Sequence, residues 1–148
     1  MGAGVAGIAV RPAIDDDLPA LRSLLGQLDY DLPVDEVRRR LAAVCAAPDH
    51  AVLVGETSGQ VVALLHLFVR PALEKPPEAV VQALVVDSLC RQGGVGKTMM
   101  IAAESWARTR NLRSVALASH VARKDAHAFY AALGYAQVAT SSLLRKVL

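Results

Sequence analysis

The chain has 148 residues, 53% apolar, 4% aromatic and 20% charged, with a formal net charge of +2. That length and apolar content suit one domain with a real hydrophobic core and exclude intrinsic disorder. Sixteen Lys and Arg against fourteen Asp and Glu are too even a balance to argue for nucleic acid as a partner. The longest apolar run, residues 61–69, is interrupted by His66 and falls short of the roughly 18 residues of a membrane helix. The opening ten residues lack a basic leader and meet Arg11-Pro12 at once, so neither a signal peptide nor a membrane partner is expected. Cys45 and Cys90 make no CxxC pair, and His50, His66, His120 and His127 have no ligand spacing. A cytoplasmic, reduced, metal-free protein is the expectation.

In chain order, residues 8–11 read as a first strand closed by Pro12. Asp15, Asp16 and Asp17 supply N-cap and first-turn acids for a helix over 18–28, where Leu18, Leu21, Leu24, Leu25 and Leu28 recur at helical spacing. The Asp29-Tyr30-Asp31-Leu32-Pro33 turn leads to a second helix over 34–46, with Val37, Leu41 and Val44 inward and Arg38 to Arg40 in solvent. Residues 51–56 and 60–69 read as a hairpin across Thr57-Ser58-Gly59. A Pro-rich loop follows, then a nearly continuous apolar strand over 79–86, the pattern of a strand covered on both faces. A loop over 87–96 opens into a helix over 97–110 that turns Met99, Ala103, Trp106 and Ala107 inward. A strand over 114–118, a helix over 125–133 ended by Gly134, and a last strand or two over 136–146 complete the order β α α β β β α β α β. One α/β domain spanning 1–148 is the economical reading.

The segment that carries chemistry is Val85-Val86-Asp87-Ser88-Leu89-Cys90-Arg91-Gln92-Gly93-Gly94-Val95-Gly96-Lys97. A buried strand runs into a Gly-rich turn, and the turn becomes a helix N-terminus. Glycines let the backbone approach, N–H groups point outward, and the helix dipole favours negative charge, so this is an anion cradle suited to a phosphate-bearing ligand. The tail Gly96-Lys97-Thr98 mimics a nucleotide P-loop, but Arg91 stands where that loop needs its first Gly. Ser119-His120 and Cys90 bring to mind a hydrolase, but no Gly-x-Ser-x-Gly elbow accompanies them.

Arg91-x-x-Gly94-x-Gly96 fits the (Arg/Gln)-x-x-Gly-x-(Gly/Ala) signature of the GCN5-related N-acetyltransferases. Ala83-Leu84-Val85-Val86-Asp87 resembles that family's fourth strand, and Arg123 to Tyr135 resembles its A-x-x-F-Y-x-x-L-G-(F/Y) element. Val10-Arg11-Pro12-Ala13 before an acid-capped helix is similar to the family's usual start, so the resemblance covers almost the whole chain.

The resemblance implies a twisted, mixed, mostly antiparallel sheet flanked by helices, with acetyl-CoA as cosubstrate and no metal. Its pyrophosphate would lie on Arg91, Gln92, Gly93, Gly94, Val95, Gly96 and Lys97. Strands four and five would splay, with pantetheine beside Leu84, Val85 and Val86 and the thioester carbonyl near the Val86 N–H. Asp125, Phe129 and Tyr130 would complete the cofactor side, with Tyr130 protonating the departing thiolate. Many relatives carry a Glu base where Gln82 stands, and an amide accepts no proton at neutral pH. Glu78, His66 and His120 remain as alternatives. The resemblance sets the acceptor site near Tyr30 and Asp31, and Asp29, Asp31 and Glu78 would make its mouth acidic, suiting a cationic small-molecule amine. Relatives often dimerise, which makes a homodimer the expected assembly. Gln82 also leaves room for a catalytically silent acetyl-CoA or CoA sensor, and peptide acetylation is a further alternative to a small-molecule acceptor.

Overall fold

The computed structural model describes residues 7–119 and 123–148. The chain divides into two compact units, one ending at Leu117 and the other running from Ala118 to Leu148. The first unit holds a five-stranded sheet in the order β1-β2-β3-β4-β5. Its strands are β1 (Ala9–Pro12), β2 (His50–Thr57), β3 (Gln60–Arg70), β4 (Glu78–Val86) and β5 (Val115–Leu117). The first four pair antiparallel, and β5 pairs parallel to β4, so the sheet is mixed and mostly antiparallel as expected.

Helices α1 (Leu18–Gly26) and α2 (Val34–Ala46) cover one face. Leu18, Leu21 and Leu24 of α1 and Val37 of α2 pack on Val52, Val54, Leu64 and Val85, the inward residues of three neighbouring strands. Each buried Leu or Val contributes roughly 1.5–3 kcal/mol. Helix α3 (Val95–Thr109) covers the opposite face with Met99, Met100, Ala103 and Ala107 all buried. Gly55 of β2 lies under it: a Cβ there would stand 2.9 Å from Met99 Sδ and 3.3 Å from Ala63 Cβ. Trp106, expected inward, is only partly covered and lies under the Arg110 guanidinium at 3.9 Å.

The acidic triplet supplies the N-cap residue of α1, Asp17, and the first-turn acids of the segment before it, as the spacing predicts. Asp15–Asp17 forms a short 3₁₀ turn before α1, and neither N-cap residue, Ile14 or Asp17, caps its own helix with its side chain. The buried Asp17 carboxylate instead receives both guanidinium nitrogens of Arg11 at 2.8 and 2.9 Å, and the Ile14 N–H at 2.8 Å. Arg11 also donates from Nε to Glu56 at 2.8 Å, which ties β1 to β2. α1 ends at Gly26, two residues earlier than expected, because Asp29 takes a left-handed φ of 67° to turn the chain. On α2 the Arg38 to Arg40 run is exposed and paired with Asp35 and Glu36 of the same helix.

The second unit contains α4 (Lys124–Ala132). Gly134 ends it with φ 95°, while Gly134 N–H donates to Ala131 O and Tyr135 N–H to Tyr130 O, each at 3.0 Å. This pair of bonds is a Schellman cap, which explains why Leu-Gly-Tyr closes the recognisable string. The strand expected over 136–146 is absent among the described residues, where residues 136–148 are all exposed. A strand is held by paired backbone groups and one buried face, and among the described residues this segment shows neither.

Candidate active site

Strand β4 pairs with β3 along its length but with β5 only at Ala79, Val80 and Val81. Past Val81 the two strands part, and the β5-facing edge of β4 carries no strand partner among the described residues. Asp87 N–H donates to Val62 O at 2.8 Å, across the Ala63–Val86 register pair. That bond makes Ala63–Val86 a non-hydrogen-bonded pair, so Val86, and by alternation Leu84, turn N–H and C=O away from β3. Leu84 and Val86 therefore present backbone donors on the open edge, while the Val85 side chain is buried in the core.

The register slips by one between His66 and Leu67: His66 pairs with Ala83, Leu67 with Val81, and Gln82 is left over. Gln82 is thus the extra residue of a β-bulge, with an exposed side chain, at the point where β4 leaves β5. Bulges bend a strand and re-aim its side chains, and this one sits at the fork.

The turn after β4 is more ordered than an open loop. Ser88–Gly93 forms a 3₁₀ turn, capped by Asp87 Oδ1, which accepts from Leu89 N–H at 3.0 Å. Ser88 N–H donates to Gln27 Oε1 at 2.9 Å, so the end of α1 pins the turn. Arg91 Nε donates to Val86 O at 3.2 Å and folds back across the end of β4. Gly94, in left-handed conformation with φ 78°, is the N-cap of α3. The helix starts at Val95, two residues earlier than expected, and its first internal bond is Thr98 N–H to Gly94 O at 3.1 Å. The N–H groups of Val95, Gly96 and Lys97 are therefore the unpaired donors of a helix N-terminus, with Lys97 exposed beside them. Gly93 is exposed as well, and Gln92 lies within the 3₁₀ turn. Unpaired N–H groups beside an exposed Lys97 suit an anion such as a diphosphate electrostatically.

On the sheet face that carries α1 and α2, His66 Nε2 lies 3.0 Å from His50 Nδ1. Phe68 stacks on His50, centroids 4.9 Å apart and planes within 10°. Burial, and then the neighbouring His50, push the His66 imidazole below its ordinary value, so it is neutral at pH 7. His50 was not singled out in the sequence, and neither was Gln27. Glu78 is differently engaged: Arg70 and Lys75 pair with Oε1 at 2.9 and 3.0 Å, and Ser114 donates to Oε2 at 3.2 Å. Burial raises its pKa, but hydrogen bonds from Lys75 and Arg70 outweigh that and hold the carboxyl below the usual range. A carboxylate so held is a poor proton acceptor. Tyr30 and Asp31 lie exposed in the turn between α1 and α2, where Arg22 Nε donates to Leu32 O at 2.7 Å.

In the second unit Tyr130 packs edge-on against Phe129 and Tyr135, with centroids 5.0 and 6.0 Å away. Burial raises the Tyr130 pKa against an opposing pull from Arg123, so the phenol keeps its proton at neutral pH. Asp125 is exposed in the first turn of α4, where a negative charge favours the helix. His120 lies outside the described residues. Among the described residues, no group of three His, Cys, Asp or Glu side chains is arranged to hold a metal ion, and no helix is long and apolar enough to cross a membrane.

The acetyltransferase (GNAT) family model matches residues 18–135. The chain is 30% identical over 141 residues to the aminoglycoside N(6')-acetyltransferase type 1 of Stenotrophomonas maltophilia, covering 86% of this chain and 88% of that protein. It is 29% identical over 107 residues to an uncharacterised N-acetyltransferase of Bacillus subtilis (strain 168), covering 72% of this chain and 75% of that one. Its fold matches the aminoglycoside N-acetyltransferase AAC(6')-Iy in complex with CoA, with a TM-score of 0.84 at 19% identity, over 99% of this chain and 98% of that structure.

Proposed function

The chain belongs to the acetyltransferase (GNAT) family, and from that premise we propose that it moves the acetyl group of acetyl-CoA to a primary amine of a small molecule. The observation that carries this reading is the unpaired β4 edge beyond Val81 leading through Gly94 into a helix start with three free N–H groups. An extended amide-bearing arm fits beside such an edge, and a diphosphate fits at such an end. The CoA complex of a protein of the same fold supports the choice of donor.

In this reading Arg91, Lys97 and the backbone from Gln92 to Gly96 hold the diphosphate. The Leu84 and Val86 backbone holds the arm, and the Val86 N–H donates to the thioester oxygen. That donor stabilises charge that develops only in the transition state. The amine attacks directly in a ternary complex. Tyr130, protonated at neutral pH, gives its proton to the departing thiolate, with Asp125 and Phe129 beside it on the cofactor side. The exposed Tyr30–Asp31 turn meets the acceptor, and acidic Asp29 and Asp31 suit a polycationic amine. The Stenotrophomonas relative's name supports aminoglycosides as the first class to try. The family match crosses both units, which supports treating 1–148 as one N-acetyltransferase domain. Two free cysteines are in keeping with a cytoplasmic protein, and a homodimer is the assembly to look for by sedimentation.

The test is thiol release from acetyl-CoA across a panel of aminoglycosides, polyamines, alkylamines and peptides. Turnover with small amines is the expected result, and turnover with peptides alone contradicts the reading.

A further inference from the structure

A family of this kind needs an amine stripped of its proton, and the strand position where an acid would help is occupied here by the exposed amide of Gln82. Directly across the bulge from Gln82 stands His66, paired in register with Ala83. Its Nε2 and the Nδ1 of His50 are 3.0 Å apart, with Phe68 stacked on the His50 ring. We propose that His50 and His66 act together as the base that deprotonates the acceptor amine on the α1/α2 face of the sheet. This rests on the acetyl-transfer reading above.

The pairing itself dictates what the two rings offer. One N–H lies between them, and each neutral imidazole carries one donor and one acceptor nitrogen. If His66 donates to His50, His66 Nδ1 is the bare acceptor and His50 Nε2–H the donor. If His50 donates, the roles exchange. In either tautomer the pair turns one lone pair and one N–H outward. Among the described residues neither outer nitrogen is engaged by another group, and no buried side-chain nitrogen or oxygen lacks a partner, so both nitrogens are open to solvent or ligand.

The surroundings disfavour a charged His66. β4 carries no charge from Ala79 to Val86, and Glu78 beyond it is tied to Arg70, Lys75 and Ser114. α1 and α2 turn Leu18, Leu21, Leu24 and Val37 to the sheet, while Asp35, Glu36 and Arg38 to Arg40 pair among themselves on α2. Asp29, Asp31 and Asp49 are exposed at turns. The one titratable neighbour that moves His66 is His50, and its effect, with burial, is to disfavour the charged ring.

The ammonium R–NH₃⁺ gives a proton to the outer lone pair, leaving the His pair singly charged. The amine nitrogen then bonds to the thioester carbon. The C–S bond breaks, its electrons leave as thiolate, and the nitrogen's second surplus proton equals the one the thiolate gains. The His pair returns its proton to solvent, so one proton is released for each amide and free thiol formed.

The experiment compares wild type, His66→Gln and His50→Gln in thiol release with an aminoglycoside from pH 5 to 9, alongside thermal stabilisation by acetyl-CoA. Both variants are expected to keep the stabilisation and to lose about a hundredfold in kcat/KM near neutrality. The wild-type acid limb, with a midpoint below the ordinary imidazole value of 6.5, is replaced in His66→Gln by a rise of tenfold per pH unit that follows the free amine. Variants that stay stabilised and keep kcat/KM within twofold over the whole profile overturn the proposal. A wild type that neither binds acetyl-CoA nor releases thiol overturns the acetyl-transfer reading itself. Imidazole NMR titration of the wild type is independent of how the variants fold: a coupled pair that shifts on adding the aminoglycoside is expected, and an unmoved pair contradicts it.

Discussion

Asp17 and Tyr130 are two side chains whose protonation is fixed by neighbours, with opposite consequences. The Asp17 pKa is depressed, with the Arg11 hydrogen bonds the leading cause. Its stabilisation is therefore fully present above the ordinary carboxyl value of 3.8 and drains away as pH falls through the lower folded-state value. Asp17→Ala is expected to cost about 1–2 kcal/mol at pH 7, because it strands a guanidinium and the Ile14 N–H, and less at pH 2. Urea melts of both proteins at the two pH values check this. Tyr130 is raised, so it stays a proton donor up to and beyond the ordinary phenol value of 10.0. Tyr130→Phe keeps the ring contacts with Phe129 and Tyr135 and removes only the hydroxyl. The proposal expects kcat to fall about a hundredfold with acetyl-CoA affinity unchanged, measured by steady-state kinetics and calorimetry.

At the level of the elements, the anion end of α3 hangs on one backbone conformation. Gly94 at φ 78° starts the helix, and a side chain there is strained by roughly 1–2 kcal/mol. Gly94→Ala is expected to lower Tm by several degrees and to weaken acetyl-CoA binding at least tenfold, both readable in one thermal-shift titration. The Gly-rich turn was legible in the sequence because glycines after an apolar strand mark a tight turn, here with left-handed Gly94, into a helix start. The His50–His66 pair was not, and the reason is a bulge. Thr57 pairs with Gln60, and unbroken antiparallel counting from that turn would set His50 opposite Leu67, on the other face from His66. The register shift at Gly55 and Glu56 leaves Val62 over and sets His50 opposite Phe68, which brings both rings to one face. Gly55 marks the place, as an isolated glycine within a strand can, but its presence does not fix which strand carries the extra residue. Similarly, Gln82 reads in sequence as a missing acid, whereas its place as the spare residue at the fork of β4 and β5 emerges only from pairing.

For the whole molecule, the element order from β1 to α4 followed from apolar periodicity and turn residues, with no end moved by more than two residues. The cause of each move is local, as at the left-handed Asp29 and Gly94. The strand expected over 136–146 is absent among the described residues because a stretch with apolar residues still needs a partner strand, and sequence alone supplies none. Membership of the acetyltransferase (GNAT) family rests on the match over residues 18–135 and makes the chain an acetyltransferase. The acetyl donor lends itself to a direct test. Thermal stability with saturating acetyl-CoA, set beside Mg-ATP, tests it most directly. Binding at a hundredfold excess over Kd contributes about 2.7 kcal/mol, a rise of several degrees in a domain of this size. The account predicts that rise with acetyl-CoA and none with Mg-ATP. A rise with Mg-ATP alone, or none with acetyl-CoA, contradicts it.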